Sequence, residues 1–74
     1  MKNILTQRET EILILILEEK SSLEIAEALG LSIRTVDTHR KHIWHKTGCK
    51  TLITITKYSI KTGLVKDYYY KKAS

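Results

Sequence analysis

A chain of 74 residues with a single cysteine and a net charge of +5 is one small domain spanning residues 1–74; at that size about 60% of the surface is buried on folding, leaving one core and no room for an enclosed active site. One cysteine excludes an internal disulfide and the framework of a small secreted protein, so the expected compartment is the reducing cytoplasm. The apolar run over residues 12–17 is bounded by Glu11 and Glu18, far too short for a membrane span or a signal segment, and no membrane partner is expected.

In chain order, Thr6-Gln7-Arg8-Glu9 fits a capping box, so a first helix is predicted to start near Gln7. Leu5, Ile12, Leu13 and Ile16 share one arc of about 100° with Glu9 near its middle and are the expected core contacts. Ile14 points nearly the opposite way. With Leu15 and Leu17 it forms either a partner-facing patch or scattered exposed apolar residues. Glu18-Glu19-Lys20-Ser21 closes this helix, and Ser21 or Ser22 caps a short second one over residues 23–29, ended by Gly30. Ile25, Ala26 and Leu29 give it an apolar side, on which the small Ala26 admits another helix closely. Leu31 is a staple-like apolar residue and Ser32 caps the third helix. Two helices joined by so short a turn form a helix-turn-helix. Gly48 ends the third helix, Thr51 caps a fourth running to about Thr62, and Gly63 closes it. Leu52, Ile55, Ser59 and Ile60 are its expected inner face; a strand over residues 52–56 competes, because Thr and Ile have modest helix propensity. The core is expected over residues 5–64, followed by a frayed basic tail over 65–74 in which Tyr68–Tyr70 stand among lysines.

The third helix carries the chemistry. Ile33, Val36, Ile43 and Thr47 fall on one side, whereas Arg34, Thr38, Lys41 and His45 fall on the other. The outward side has no apolar residue and almost no acid, and its cations, hydroxyl and imidazole groups can donate hydrogen bonds as a DNA groove requires; the solvated face of an ordinary amphipathic helix is the alternative on this pattern alone. Charge is divided accordingly: residues 1–31 hold three Lys/Arg against six Glu, and residues 32–74 hold ten against two Asp. A basic half of this kind favours a polyanionic partner.

Leu5-Thr6, Arg8-Glu9, Glu11-Ile12-Leu13, Glu24-Ile25-Ala26, Leu29, Ser32, Thr35-Val36, His39, Ile43, Lys46, Gly48, Tyr58, Ile60 and Gly63-Leu64 together form a linked pattern. This pattern resembles the LuxR type of helix-turn-helix domain, also found at the end of FixJ- and NarL-like response regulators. The resemblance implies an all-α, four-helix fold with the third helix in the DNA major groove and the fourth mediating dimer contacts. Carried onto this chain, it makes Asp37, Thr38 and Lys41 the base-reading residues and Ser22, Arg34, Thr35 and Lys50 backbone contacts. Helix geometry independently selects Arg34, Thr38 and Lys41. It adds His45, and His42 and His45 are further candidates for touching phosphate. Asp37 lies at the edge of the polar face, where it can accept from a cytosine amino group but is repelled by phosphate. Leu23, Thr47, Leu52-Ile53 and Glu19 depart from the pattern. Glu19 stands where Gly is frequent, so a differently built first turn is expected.

The expected function is sequence-specific binding of double-stranded DNA in transcription regulation, by a homodimer joined through the fourth helix. Such a chain is the output domain of a response regulator, with a receiver or sensor domain elsewhere in a longer protein, or a short stand-alone regulator. No cofactor or enzymatic activity is expected, since no nucleophile, base and orienting acid occur at suggestive spacing. No metal is expected either: His39, His42 and His45, with Cys49 four residues beyond, have helical ligand spacing, but the three imidazoles rotate about 60° apart per step and cannot converge on one ion. His39 is expected to bond within the fold, Trp44 to lie in the core or at its boundary, and Cys49 to be a small buried apolar residue. Sigma-factor-like promoter recognition is one rival, disfavoured by residues 51–64, and a protein-interaction helical bundle is the other.

Overall fold

The computed structural model describes residues 4–63. They form α1 (Gln7–Leu17), α2 (Ser22–Leu29), α3 (Ile33–Thr47) and α4 (Leu52–Lys61), and among the described residues there is no strand. The fold is all-α, as expected, and the competing strand over residues 52–56 is replaced by helix. The expected basic tail at 65–74, with Tyr68–Tyr70, and the last expected core residue, 64, lie outside the described residues.

Each helix starts at a hydroxyl. Thr6 accepts from the Glu9 amide at 3.1 Å and returns its own amide to Glu9 Oε1 at 2.9 Å. Ser21 and Glu24 repeat this at 3.1 and 2.8 Å, while Ser32 accepts from the Thr35 amide at 3.1 Å and Thr51 from the Thr54 amide at 3.2 Å. Each cap satisfies an amide that the helix cannot and is worth about 1 kcal/mol. The α2–α3 turn depends on Gly30 at φ 67°, which lets the Leu31 amide donate back to the Ala26 carbonyl at 2.9 Å. At the α1–α2 turn the left-handed position is held by Glu19, at φ 62°, without a glycine's freedom.

The core consists of Leu5, Ile12, Leu13, Ile16, Leu17, Ile25, Ala26, Val36, Ile43 and Ile55. The four expected contacts of α1 are all buried. Neither alternative for the other side of α1, a partner-facing patch or scattered exposed apolar residues, holds: Leu17 is buried, and Ile14 and Leu15 are half-buried against the core. The reason is that α1 packs against α2, α3 and α4 together, so it has apolar neighbours on more than one side.

Three further apolar assignments are corrected. Ile33 is 45% exposed; as the first residue of α3 its side chain leans back toward the helix start, past the packed part of the helix. Leu52 and Ile60 are also exposed, because α4 buries a narrow stripe of Ile55 and Ser59, one turn apart, with Tyr58 half-buried beside them. Ser59 is tolerated inside because its hydroxyl donates to the Ile55 carbonyl at 2.8 Å. Cys49 and Trp44 are half-buried boundary residues packed against the core.

Candidate nucleic-acid interface

α3 is seated by Val36 and Ile43, both fully buried, and by one ion pair. Lys46 Nζ, in its last turn, lies 2.8 Å from Oε1 of Glu9 on α1, whose side chain is almost wholly buried. Burial alone would push the Glu9 carboxyl up, but the hydrogen bond from Lys46, the Thr6 amide and the Lys46 charge outweigh it. The net result lies below the ordinary value of 4.5. Glu9 interrupts the apolar arc of α1 and is matched by the cation that meets it, which fixes the rotation of α3.

That rotation turns Arg34, Asp37, Thr38, Lys41, His42 and His45 to solvent, with Thr35 and Lys50 also exposed and Ser22 half-buried. The ion pairs among the described residues, Arg8–Glu11 and Glu9–Lys46, leave Arg34, Lys41 and Lys50 unneutralised. The hydroxyls differ in what they have left to give, since each owns one proton. Thr38 spends its proton on the Arg34 carbonyl at 3.0 Å, so what its side chain still offers to solvent is lone pairs and a methyl group. Thr35 accepts from the Ser32 hydroxyl at 2.9 Å and keeps its own proton. Ser22 donates to Oδ1 of Asp37 at 2.7 Å, which joins two of the expected DNA contacts to each other.

The expected bond of His39 within the fold is absent at Nδ1, which is buried with no hydrogen-bond partner among the described residues, and the ring meets His42 edge-on at 6.5 Å. The fold instead brings Glu9 to His39 and His42, with ligand atoms within 4.8 Å of one another. The sequence offers only His39, His42, His45 and Cys49 as a local group, because residues 9 and 39 meet through tertiary packing. The Lys46 ammonium already occupies the Glu9 carboxylate as its cation.

Sequence reading also missed the surroundings of Lys50. With Lys20, Arg40, Trp44 and Glu19 it lines a surface cleft of about 250 Å³, and the Arg40 guanidinium lies over the Trp44 ring at 5.5 Å. The i, i+4 spacing of Arg40 and Trp44 was the available signal; nothing local marked Lys20.

A pair of helices joined at Gly30, presenting an unneutralised basic side of the second, defines a helix-turn-helix domain. Residues 3–59 match the family of bacterial regulatory proteins described as the luxR family. The chain is similar to the transcriptional regulatory protein MctR of Rhizobium johnstonii, 43% identical over 61 residues that make up 82% of this chain and 28% of that protein. It is also similar to the oxygen regulatory protein NreC of Staphylococcus aureus strain JH9, 42% identical over 62 residues, 84% of this chain and 29% of that protein. The chain belongs to the luxR family of bacterial regulatory proteins. It spans less than a third of the length of these two relatives. Among the described residues no helix is long and apolar enough to cross a membrane.

Proposed function

We propose that α3 enters the major groove of duplex DNA and reads a specific sequence through Asp37, Thr38 and Lys41. Arg34, Thr35, His42, His45 and Lys50 contact the sugar-phosphate backbone, and Ser22 contributes its main-chain amide there. The observation that carries this reading is the single-sided chemistry of α3, with Val36 and Ile43 fully buried and Arg34 and Lys41 exposed without an acid partner among the described residues.

One module of this size binds nonspecific DNA on the order of 10⁻⁴ to 10⁻⁶ M at physiological salt, so useful affinity comes from a homodimer reading half-sites about 10 base pairs apart. α4 supplies the dimer surface in this reading, since Leu52, Ile53 and Ile60 are 42, 70 and 55% exposed on a helix that buries only one stripe. A receiver or sensor domain in the remainder of a longer cytoplasmic protein would control the pairing. The protein-interaction rival loses its α1 surface, because Ile14, Leu15 and Leu17 pack against the core.

Fluorescence anisotropy of a labelled generic duplex, titrated at about 50 and 200 mM salt, tests the DNA face, because released counterions must give a steep salt slope. The expected result is binding that weakens sharply at the higher salt. Absence of binding at the lower salt refutes the assignment.

A further inference from the structure

The geometry points to Ser22 as a positioning residue for Asp37, the two together setting a preference for cytosine at one base step of each half-site. This rests on the proposed major-groove reading and adds which base Asp37 takes and what holds it there.

The inference starts from the 2.7 Å hydrogen bond between Ser22 Oγ and Asp37 Oδ1, which ties the first residue of α2 to the exposed side of α3 across 15 residues of sequence. Ser22 has one hydroxyl proton, and while Asp37 holds it that hydroxyl cannot donate to a phosphate. Ser22 is therefore read as a support for the carboxylate more than as a hydroxyl contact to the backbone. The carboxylate offers about four acceptor positions, of which Ser22 fills one, so acceptor capacity remains for a base. Held against two helices, it loses little further freedom on binding, which is what makes an acceptor selective.

The base follows from the groove edges. Cytosine presents only its N4 amino donor, which a carboxylate accepts. Guanine presents N7 and O6, and thymine O4, all acceptors that repel it. Adenine pairs a donor with the N7 acceptor, a match for an amide side chain more than for a carboxylate. Phosphate repels it as well, so Asp37 contributes to affinity only where the sequence is right.

The test uses duplexes selected from random sequence by the wild-type domain, then changed one base pair at a time, with anisotropy as the readout. One C·G pair in each half-site should cost about 5- to 150-fold when replaced, the range of a single mismatch. Asp37→Ala should flatten the preference at that pair alone, and Asp37→Asn should move it toward adenine. Ser22→Ala should narrow the preference at the same pair while sparing the others, and Ser22→Thr should restore it. The inference is overturned if Ser22→Ala weakens every duplex by one factor with the preference intact, which would make the Ser22 hydroxyl a phosphate contact and no support for Asp37. It is equally overturned if Asp37→Ala changes no preference. A wild-type domain that binds no duplex at low salt refutes the major-groove reading itself, a result distinct from either.

Discussion

Among the described residues α3 carries two side-chain tethers to its neighbours, and they differ in kind. Near its C-terminal end Lys46 reaches Glu9 on α1, where the carboxylate is almost fully buried; nearer its start Asp37 meets Ser22 on α2 in the open. In the first, both partners are charged and the acid is neutralised. In the second, a carboxylate with Arg34 and Lys41 as its helix neighbours is met by a neutral hydroxyl and forms no ion pair among the described residues. A buried charge has to be paired or it destabilises the fold, whereas an exposed one is tolerated by water at little cost. The first tether therefore seats the helix, and the second is free to serve recognition. Variants that separate stability from base preference put this contrast at risk.

The largest effect is expected at the buried tether. Lys46→Ala strands the Glu9 carboxylate; breaking a buried pair costs about 3–5 kcal/mol, and the part-exposed ammonium reduces this to about 2 kcal/mol. Denaturant titration measures it, and a loss under about 0.5 kcal/mol, the usual range of surface changes, would mean that the pair does not seat α3. The pH dependence has a definite sign. The folded Glu9 carboxyl titrates below its ordinary value, so its contribution is complete above about 4.5 and is lost as pH falls through the lowered folded value. Glu9→Gln should flatten thermal stability against pH across that acid window.

Next come the cations with no acid partner among the described residues. Lys41→Ala should weaken specific binding by about 1–2 kcal/mol and relax the preference at one or two base pairs. Lys50→Ala should weaken all duplexes alike and reduce the salt slope by about one. Identical behaviour of the two variants on every duplex would dissolve the distinction between groove and backbone contacts.

Much of this was legible before the structure. Local signals carried the four helices: Thr6 with Glu9, Ser32 and Thr51 marked the starts, and Gly30 and Gly48 the ends. Wheel geometry gave the outward side of α3 because a helix face depends only on spacing. What failed depended on which other helices cover a face. Ile14 and Leu17 were placed outward because a helix wheel assumes one buried side, and α1 is enclosed on several. Leu52, Ile60 and Ile33 failed in the opposite direction, since α4 and the first turn of α3 meet fewer neighbours than their apolar residues suggested. The Lys46–Glu9 and Ser22–Asp37 tethers span 37 and 15 residues and leave no periodic trace. Only Glu9, a lone charge inside an apolar arc, hinted that one of them had to exist.

A smaller change probes a turn that neither tether touches. Glu19 holds a left-handed backbone at φ 62° that costs a non-glycine residue about 1 kcal/mol. Glu19→Gly removes that strain and gives back part of it in unfolded-chain entropy, for a net gain of about 0.5 kcal/mol in denaturant titration. A loss of stability would show that the side chain itself supports the α1–α2 turn.

The smallest effect is the one on which the contrast rests. Asp37→Ala removes an exposed hydrogen bond and a charge that sits among cations, so its folding stability should stay within about 0.5 kcal/mol of wild type. Generic duplexes should bind slightly more tightly, because a repulsive charge has left the phosphate-facing side. If melting instead falls by more than about 1 kcal/mol, the Asp37 tether is structural like that of Lys46. Its place at the recognition surface would then follow from packing α2 onto α3, with base reading left to Thr38 and Lys41.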